Sequence, residues 1–194
     1  MSALGTEHQA VLTPLRYTPP MSTTPPIANA AKIEQLFDQL ADHVRKVCPD
    51  TSNIAFIGIR RRGDIVAAKI AERLGVSDVG SIDITLYRDD LSETGAAARV
   101  GKTAIPFSVE GREIILCDDV LMTGRSVLAA LREILDFGRP ARVRLAVLVE
   151  RPEREIPIQP DFIALKIRPA REEKIDVRLA PQDDRNEITV NARS

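Results

Sequence analysis

The residues with the most chemical promise form one run, Ile114-Ile115-Leu116-Cys117-Asp118-Asp119-Val120-Leu121-Met122-Thr123-Gly124-Arg125-Ser126. A branched apolar segment emerges into two adjacent carboxylates, and a Thr-Gly-Arg-Ser turn then opens a helix. Gly124 allows a backbone to come close to a ligand, while Thr123 and Ser126 offer hydroxyl donors. The amides at a helix start, with the favourable end of the helix dipole, make an anion site. Paired carboxylates just before it suit sugar hydroxyls or a magnesium-bound group. A phosphate cradle beside two acids is what a phosphorylated sugar needs. A plainer reading stands beside it: aspartates that cap a turn, with Ser126 as the helix N-cap.

Two further runs carry charge where a ligand could use it. Arg60-Arg61-Arg62-Gly63 sits between an apolar segment and a helical one. Three cations there suit a leaving group with several negative charges, or else a solvated turn. Residues 88–103 (RDDLSETGAAARVGKT) lose all periodicity, and a loop of that length in a compact domain is functional or disordered. Neither histidine, His8 or His43, lies in these runs, so a histidine base is not expected, and His43 is assigned to a helix surface.

The elements that must position these groups follow from hydrophobic period. Ile33, Leu36, Phe37, Leu40, Ala41, Val44 and Val47 recur at helical spacing after Asn29. Asn53 to Ile59 reads as a buried strand, and Asp64 to Leu74 as a helix closed by Gly75. Ser81 to Tyr87 alternates as a half-buried strand should. Glu113 to Cys117 predicts a strand, Asp118 to Arg125 a turn, and Ser126 to Phe137 a helix with Val127, Leu128, Leu131, Ile134 and Leu135 inward. Val143 to Val149 and Phe162 to Ile167 predict strands, as do short pieces near Ile175 and Ile188. Strand-turn-helix-strand at this spacing predicts an α/β fold: a central, mainly parallel sheet with helices on both faces. Ligands of such sheets sit at the carboxyl ends of the strands, where all three charged runs fall.

Residues 1–28 hold five of the chain's 13 prolines and little to bury, which predicts a flexible tail; residues 29–194 are read as one domain. Composition narrows the classes further. In 194 residues, 27 Lys and Arg nearly balance 28 Asp and Glu, so the surface as a whole is no nucleic-acid magnet. Two cysteines and two histidines make neither a disulfide framework nor a structural zinc site. The longest apolar runs are five-residue pieces such as Leu145 to Val149, and the start has no basic and apolar leader pattern. No membrane partner is expected, and the localisation expected is cytoplasmic.

The run ILCDDVLMTGRS resembles the 5-phosphoribosyl-1-pyrophosphate (PRPP) signature of type I phosphoribosyltransferases. More specifically, the chain is similar to the PyrR family, pyrimidine-operon attenuation regulators that are also uracil phosphoribosyltransferases. IGIRRRGDIVAAKIAERLG, DITLYRDDLS, IPF, GRPARVRLAVLVERPEREIPI and DFIALKI fall in family order across roughly residues 30 to 180. The resemblance implies the type I phosphoribosyltransferase fold with a flexible hood loop. It implies that Asp118 and Asp119 hold the ribose hydroxyls, that Thr123, Gly124, Arg125 and Ser126 cradle the 5-phosphate, and that Val120, Leu121 and Met122 also belong to the PRPP site. Arg61, Arg62 and Gly63 match the pyrophosphate loop, Arg62 being the firmer match since the family reads Thr-Arg-Gly there. Asp118, Asp119 and Arg62 are the implied catalytic residues, Arg88 opens the hood, and Arg151 lies on the nucleobase side. The implied reaction takes PRPP, with magnesium, and uracil to UMP and pyrophosphate, and UMP or UTP are implied regulatory nucleotides. Implied partners are pyrimidine operon mRNA and further copies of the chain, a dimer or higher. A sensor without turnover, or a transferase for another base, are the alternative readings.

Two stretches depart from the family pattern. Where the family has Gly-His, this chain has Pro152-Glu153, and the Asp161 to Pro169 stretch differs too. On the first helix, Lys32, Arg45 and Lys46 are opposed by Glu34, Asp38 and Asp42. Since phosphate neutralisation dominates RNA affinity, the expectation is that nucleotide binding persists while attenuator-RNA binding is weakened or redirected.

Overall fold

In the computed structural model the chain is described over residues 25–84 and 103–192. In chain order the elements are α1 (Ala30–Val47), β1 (Ile54–Ile59), α2 (Gly63–Leu74), β2 (Val79–Ile82), β3 (Glu113–Leu121), α3 (Arg125–Asp136), β4 (Arg142–Glu150), β5 (Phe162–Lys166), β6 (Glu173–Arg178) and β7 (Glu187–Ala192). Five strands form one sheet in the order β2-β1-β3-β4-β5, every neighbouring pair parallel. β6 and β7 make a separate antiparallel ribbon. Ile27 and Ala28 hydrogen-bond to Ile188 of that ribbon, which ties the start of α1 to the end of the chain.

The strands are apolar throughout because both sheet faces are covered. From β1, Ile54 and Phe56 join the core under α1 and α2, whereas Ala55, Ile57 and Ile59 join the core under α3. β3 divides the same way, Ile115 and Cys117 to one side and Ile114 and Leu116 to the other. α1 buries Ile33, Leu36, Phe37, Leu40, Ala41 and Val44, and the Asn29 side chain caps its first turn by accepting from the Lys32 amide at 3.0 Å.

Four local expectations are corrected. The strand expected at Ser81 to Tyr87 begins earlier, at Val79, and ends at Ile82; within the described residues, Ile82 and Ile84 are buried and Asp83 half-buried. β3 does not stop at Cys117, because its ladder with β4 continues through Asp118, Val120 and Leu121 to Glu150. The acid pair therefore stands on a strand rather than on a turn. α3 begins at Arg125 with Gly124 as its N-cap, so Ser126 is inside the helix. Its buried stripe is Val127, Ala130 and Ile134; Leu135 lies at the flank of that stripe and is 60% exposed, and Val47 at the end of α1 is 52% exposed. Leu135 sits about 100° round the helix from Ile134, and Val47 is the last residue of α1. Of the tail expected over residues 1–28, residues 1–24 lie outside the described residues, as do residues 88–102 of the loop expected over 88–103.

Candidate active site

Asp118 and Asp119 are almost entirely buried, at 3% and 6% exposure, near the carboxyl end of the central strand. Asp118 Oδ1 accepts from the Asp119 amide at 3.0 Å, and Asp119 Oδ1 from the Val120 amide at 2.9 Å. These contacts orient both carboxylates without cations from the same strand. Leu121 buries its side chain in the core under α3, Val120 packs against the opposite core, and Met122 and Thr123 are half-buried. The chain then turns at Gly124, whose φ of +92° is the left-handed region that favours glycine. A Cβ there would also lie 3.2 Å from the Ile156 Cβ. The turn opens α3, at the positive end of its helix dipole, and the Arg125 amide donates to Thr123 Oγ1 at 3.3 Å.

The loop Arg60-Arg61-Arg62-Gly63 is pressed onto this strand by glycine. A Cβ on Gly63 would lie 2.5 Å from the Cys117 carbonyl oxygen and 3.1 Å from the Asp118 Cα. On β1, a Cβ on Gly58 would lie 2.2 Å from the Asp64 Cα. With no side chain at either position, the three-arginine loop and the acid pair share one place. The Arg60–Arg61 peptide is cis and Arg62 has φ +78°. Arg61 is exposed to solvent, whereas Arg62 is half-buried in a fork with Asp183, at 2.7 and 2.9 Å. That hydrogen-bonded pairing, with the nearby charges of Asp119 and Asp183, holds the Arg62 guanidinium above its ordinary value.

A third segment, residues 150–158, straps the site from outside, and sequence reasoning assigned it no such role. Arg154 donates to the carbonyls of Met122, Ile158 (3.0 Å) and Arg151 (3.1 Å), and pairs with Glu150 at 2.8 Å. The amides of Glu155 and Ile156 donate to the Thr123 carbonyl at 3.0 and 2.9 Å. Arg125 reaches out to Glu155 at 2.7 Å. Together these contacts hold the Met122-Thr123 turn in shape. The signal was present as the Arg-Glu-Ile-Pro-Ile string, but nothing local shows that an arginine will hydrogen-bond to a turn 32 residues earlier. Arg151, assigned to the nucleobase side, is 3% exposed, with its guanidinium on Glu153 (2.6 Å to each oxygen) and on the Glu173 carbonyl (3.3 Å). Arg88 lies outside the described residues.

Residues 27–181 match the phosphoribosyl transferase domain family. The chain is 44% identical to the bifunctional protein PyrR of Roseiflexus sp. over 81% of its own length and 88% of that protein's. The match to bifunctional protein PyrR 1 of Lactiplantibacillus plantarum is 47% identical over 71% and 81%. The chain belongs to the PyrR family. Among solved structures, the hypoxanthine phosphoribosyl transferase of Trypanosoma cruzi superposes with a TM-score of 0.65 over 86% of this chain and 90% of that one. At 14% identity that likeness is one of fold, and it confirms the type I phosphoribosyltransferase architecture.

Within this PyrR chain, the departures from the family pattern are accommodated locally. Glu153 is taken up by the buried Arg151, so its charge is compensated inside the strap. The acids of α1 are engaged as well: Glu34 and Asp38 both pair with Arg73 of α2 at 2.6 Å, and Asp42 pairs with Arg45 at 2.6 Å. His43 is exposed, as expected of a surface position. Among the described residues, no helix is long and apolar enough to cross a membrane.

Proposed function

We propose that this PyrR protein transfers the 5-phosphoribosyl group of PRPP to a ring nitrogen of uracil. The bond from C1 of the ribose to the pyrophosphate oxygen breaks, a bond from C1 to nitrogen forms, and the nitrogen loses its proton; the products are UMP and pyrophosphate. The observation that carries the reading is the contact of Gly63 with the Cys117–Asp118 backbone. It brings the arginine loop to the buried acid pair, which α3 follows four residues after β3, and this supports a ligand such as PRPP with a group for each.

In this reading Asp118 and Asp119 hold the ribose 2- and 3-hydroxyls, and Thr123 to Ser126 hold the 5-phosphate. Arg61 and Arg62 receive the charge that builds on the departing pyrophosphate. C1 passes through an oxocarbenium-like state, so catalysis rests on orientation and charge stabilisation rather than on a protein nucleophile. The buried acids stabilise the developing positive charge on the ribose. Among the described residues, no group of three or more His, Cys, Asp and Glu side chains could hold a metal ion. A magnesium ion would come with PRPP, and Asp118 or Asp119 would supply one or two further ligands. When bound, magnesium neutralises the leaving group.

The same chain is proposed to bind pyrimidine operon leader RNA in a manner set by UMP or UTP. The neutralised acids of α1 support this reading, because Arg73 and Arg45 remove much of their repulsion for phosphate. A second function for the fold also agrees with the description of its relatives as bifunctional.

Pyrophosphate release from PRPP on addition of uracil, in a panel with other nucleobases, tests the transferase. Uracil alone supports turnover, and Asp119→Asn lowers kcat/KM by about 10²-fold or more. Nucleotide binding without turnover on any base would make the pocket a sensor. Nucleotide-dependent gel shifts of a leader RNA over a salt series test the regulatory half, and equal binding with and without UMP would refute it.

A further inference from the structure

Arg62 is held at the site by a residue from the far end of the chain. Its Nε donates to Asp183 Oδ2 at 2.7 Å and its Nη2 to Asp183 Oδ1 at 2.9 Å, across 121 positions of sequence. The acid is itself fixed. Asp183 Oδ2 also accepts from the Leu179 amide at 2.8 Å, and the Asp183 amide donates to the Leu179 carbonyl at 2.9 Å. Leu179 is buried in the core beneath α1 and α2, so the turn between β6 and β7 is anchored where the carboxylate leaves it.

At the other end, Arg62 is the N-cap residue of α2 and lies in the loop that Gly63 presses onto Asp118. Backbone therefore fixes both partners of the fork. A guanidinium gripped along its Nε–Nη2 edge is planar and held in one orientation, and its remaining edge can meet an anion. Asp119 lies close enough to add its charge to the field on the same guanidinium. The phosphoribosyl transferase match ends at residue 181, so Asp183 lies beyond the segment shared with that broad family.

We propose that Asp183 is a positioning residue for the transferase reaction: it orients the Arg62 guanidinium toward the pyrophosphate end of PRPP and so sets affinity for that end of the substrate alone. The inference rests on the transferase reading given above. It makes the β6–β7 ribbon, which carries none of the three chemical runs, a working part of the pyrophosphate subsite.

Titration calorimetry with magnesium and, in turn, PRPP, pyrophosphate and UMP tests it on the full chain. UMP lacks the pyrophosphate, so it reports on the fold and on the ribose-phosphate half of the site. Asp183→Asn is expected to weaken PRPP and pyrophosphate on the order of 10-fold, the effect usual for a residue that orients a ligand-binding side chain, and to leave UMP unchanged. Asp183→Glu recovers part of the loss, and Asp183→Asn made in an Arg62→Ala background adds nothing further. Unchanged or tighter PRPP binding in Asp183→Asn would overturn the proposal, tighter binding meaning that the carboxylate competes with the substrate for Arg62. A loss for UMP as large as that for PRPP would overturn it too. A wild-type protein that binds neither PRPP nor UMP would sink the transferase reading along with it, whereas binding of both with Asp183→Asn unaffected sinks this inference alone.

Discussion

Gly63→Ala is the sharpest perturbation of the site. The added Cβ would sit 2.5 Å from the Cys117 carbonyl oxygen, and ordinary contact begins at 3.4 Å, so one side must move by about 0.9 Å. β3 cannot give way, because it is paired on both sides, with β1 and with β4. The loop carrying Arg61 and Arg62 has to lift off the acid pair instead. Overpacking of this kind costs about 1–3 kcal/mol, and for a chain of this length each kcal/mol lowers Tm by about 2–4 °C. A misplacement near 1 Å costs about 10²-fold in a reaction that depends on orientation. The expected result is a folded protein with Tm lowered by several degrees and kcat/KM for PRPP down about 10²-fold, measured by calorimetry and by initial rates of pyrophosphate release. The loss should fall on PRPP more than on UMP. Wild-type kcat/KM in a folded Gly63→Ala protein would refute the reasoning, since the loop would then not need this contact.

Three more outcomes follow from the same geometry. Arg154→Ala removes the donor to the Met122 and Ile158 carbonyls and leaves Glu150 with Lys166 alone; urea unfolding should show a loss of about 3 kcal/mol, with a raised KM for PRPP as the Met122-Thr123 turn loosens. Arg62 holds the Asp183 carboxyl below its ordinary value of 3.8, so the stability this provides is complete above about pH 5 and drains away as the pH falls toward the lowered native value; urea midpoints measured from about pH 5 down to pH 2 should fall less steeply for Asp183→Asn than for wild type. Cys117 is fully buried beside Asp118, which pushes its thiol up, and Cys48 is 5% exposed and likewise raised; a charged thiol reagent should therefore label neither until the protein is unfolded.

Much of this site was legible because its chemistry is local in sequence. Asp118 to Ser126 are contiguous, and a branched strand running into Thr123-Gly124 announces a turn and a helix start by short-range preferences alone. The α1 stripe from Ile33 to Val44 and the Gly75 stop of α2 are equally local, since helical period and a left-handed cap need only a few residues to declare themselves. The errors are of the opposite kind. The end of β3 was misplaced because carboxylates in a strand contradict local preference, and only the ladder with Val147, Val149 and Glu150 keeps the chain extended there. Leu135 was taken as inward because apolar spacing marks one side of a helix but not how wide a stripe of it the fold covers.

Sequence by itself determined the class of fold, the order of its main elements and the adjacency of the acid pair to the start of α3, since each follows from periodicity or from residues adjacent in the chain. Tertiary structure alone decided that Gly63 meets Asp118, that Arg154 secures the turn at Met122, and that Asp183 grips Arg62. Those contacts join segments far apart in the chain, and they depend on strand order and register, which pair interactions along the sequence do not encode one at a time. A parallel sheet brings its carboxyl ends together only once every crossover has been made, so the arginine loop meets the acid pair only in the finished fold.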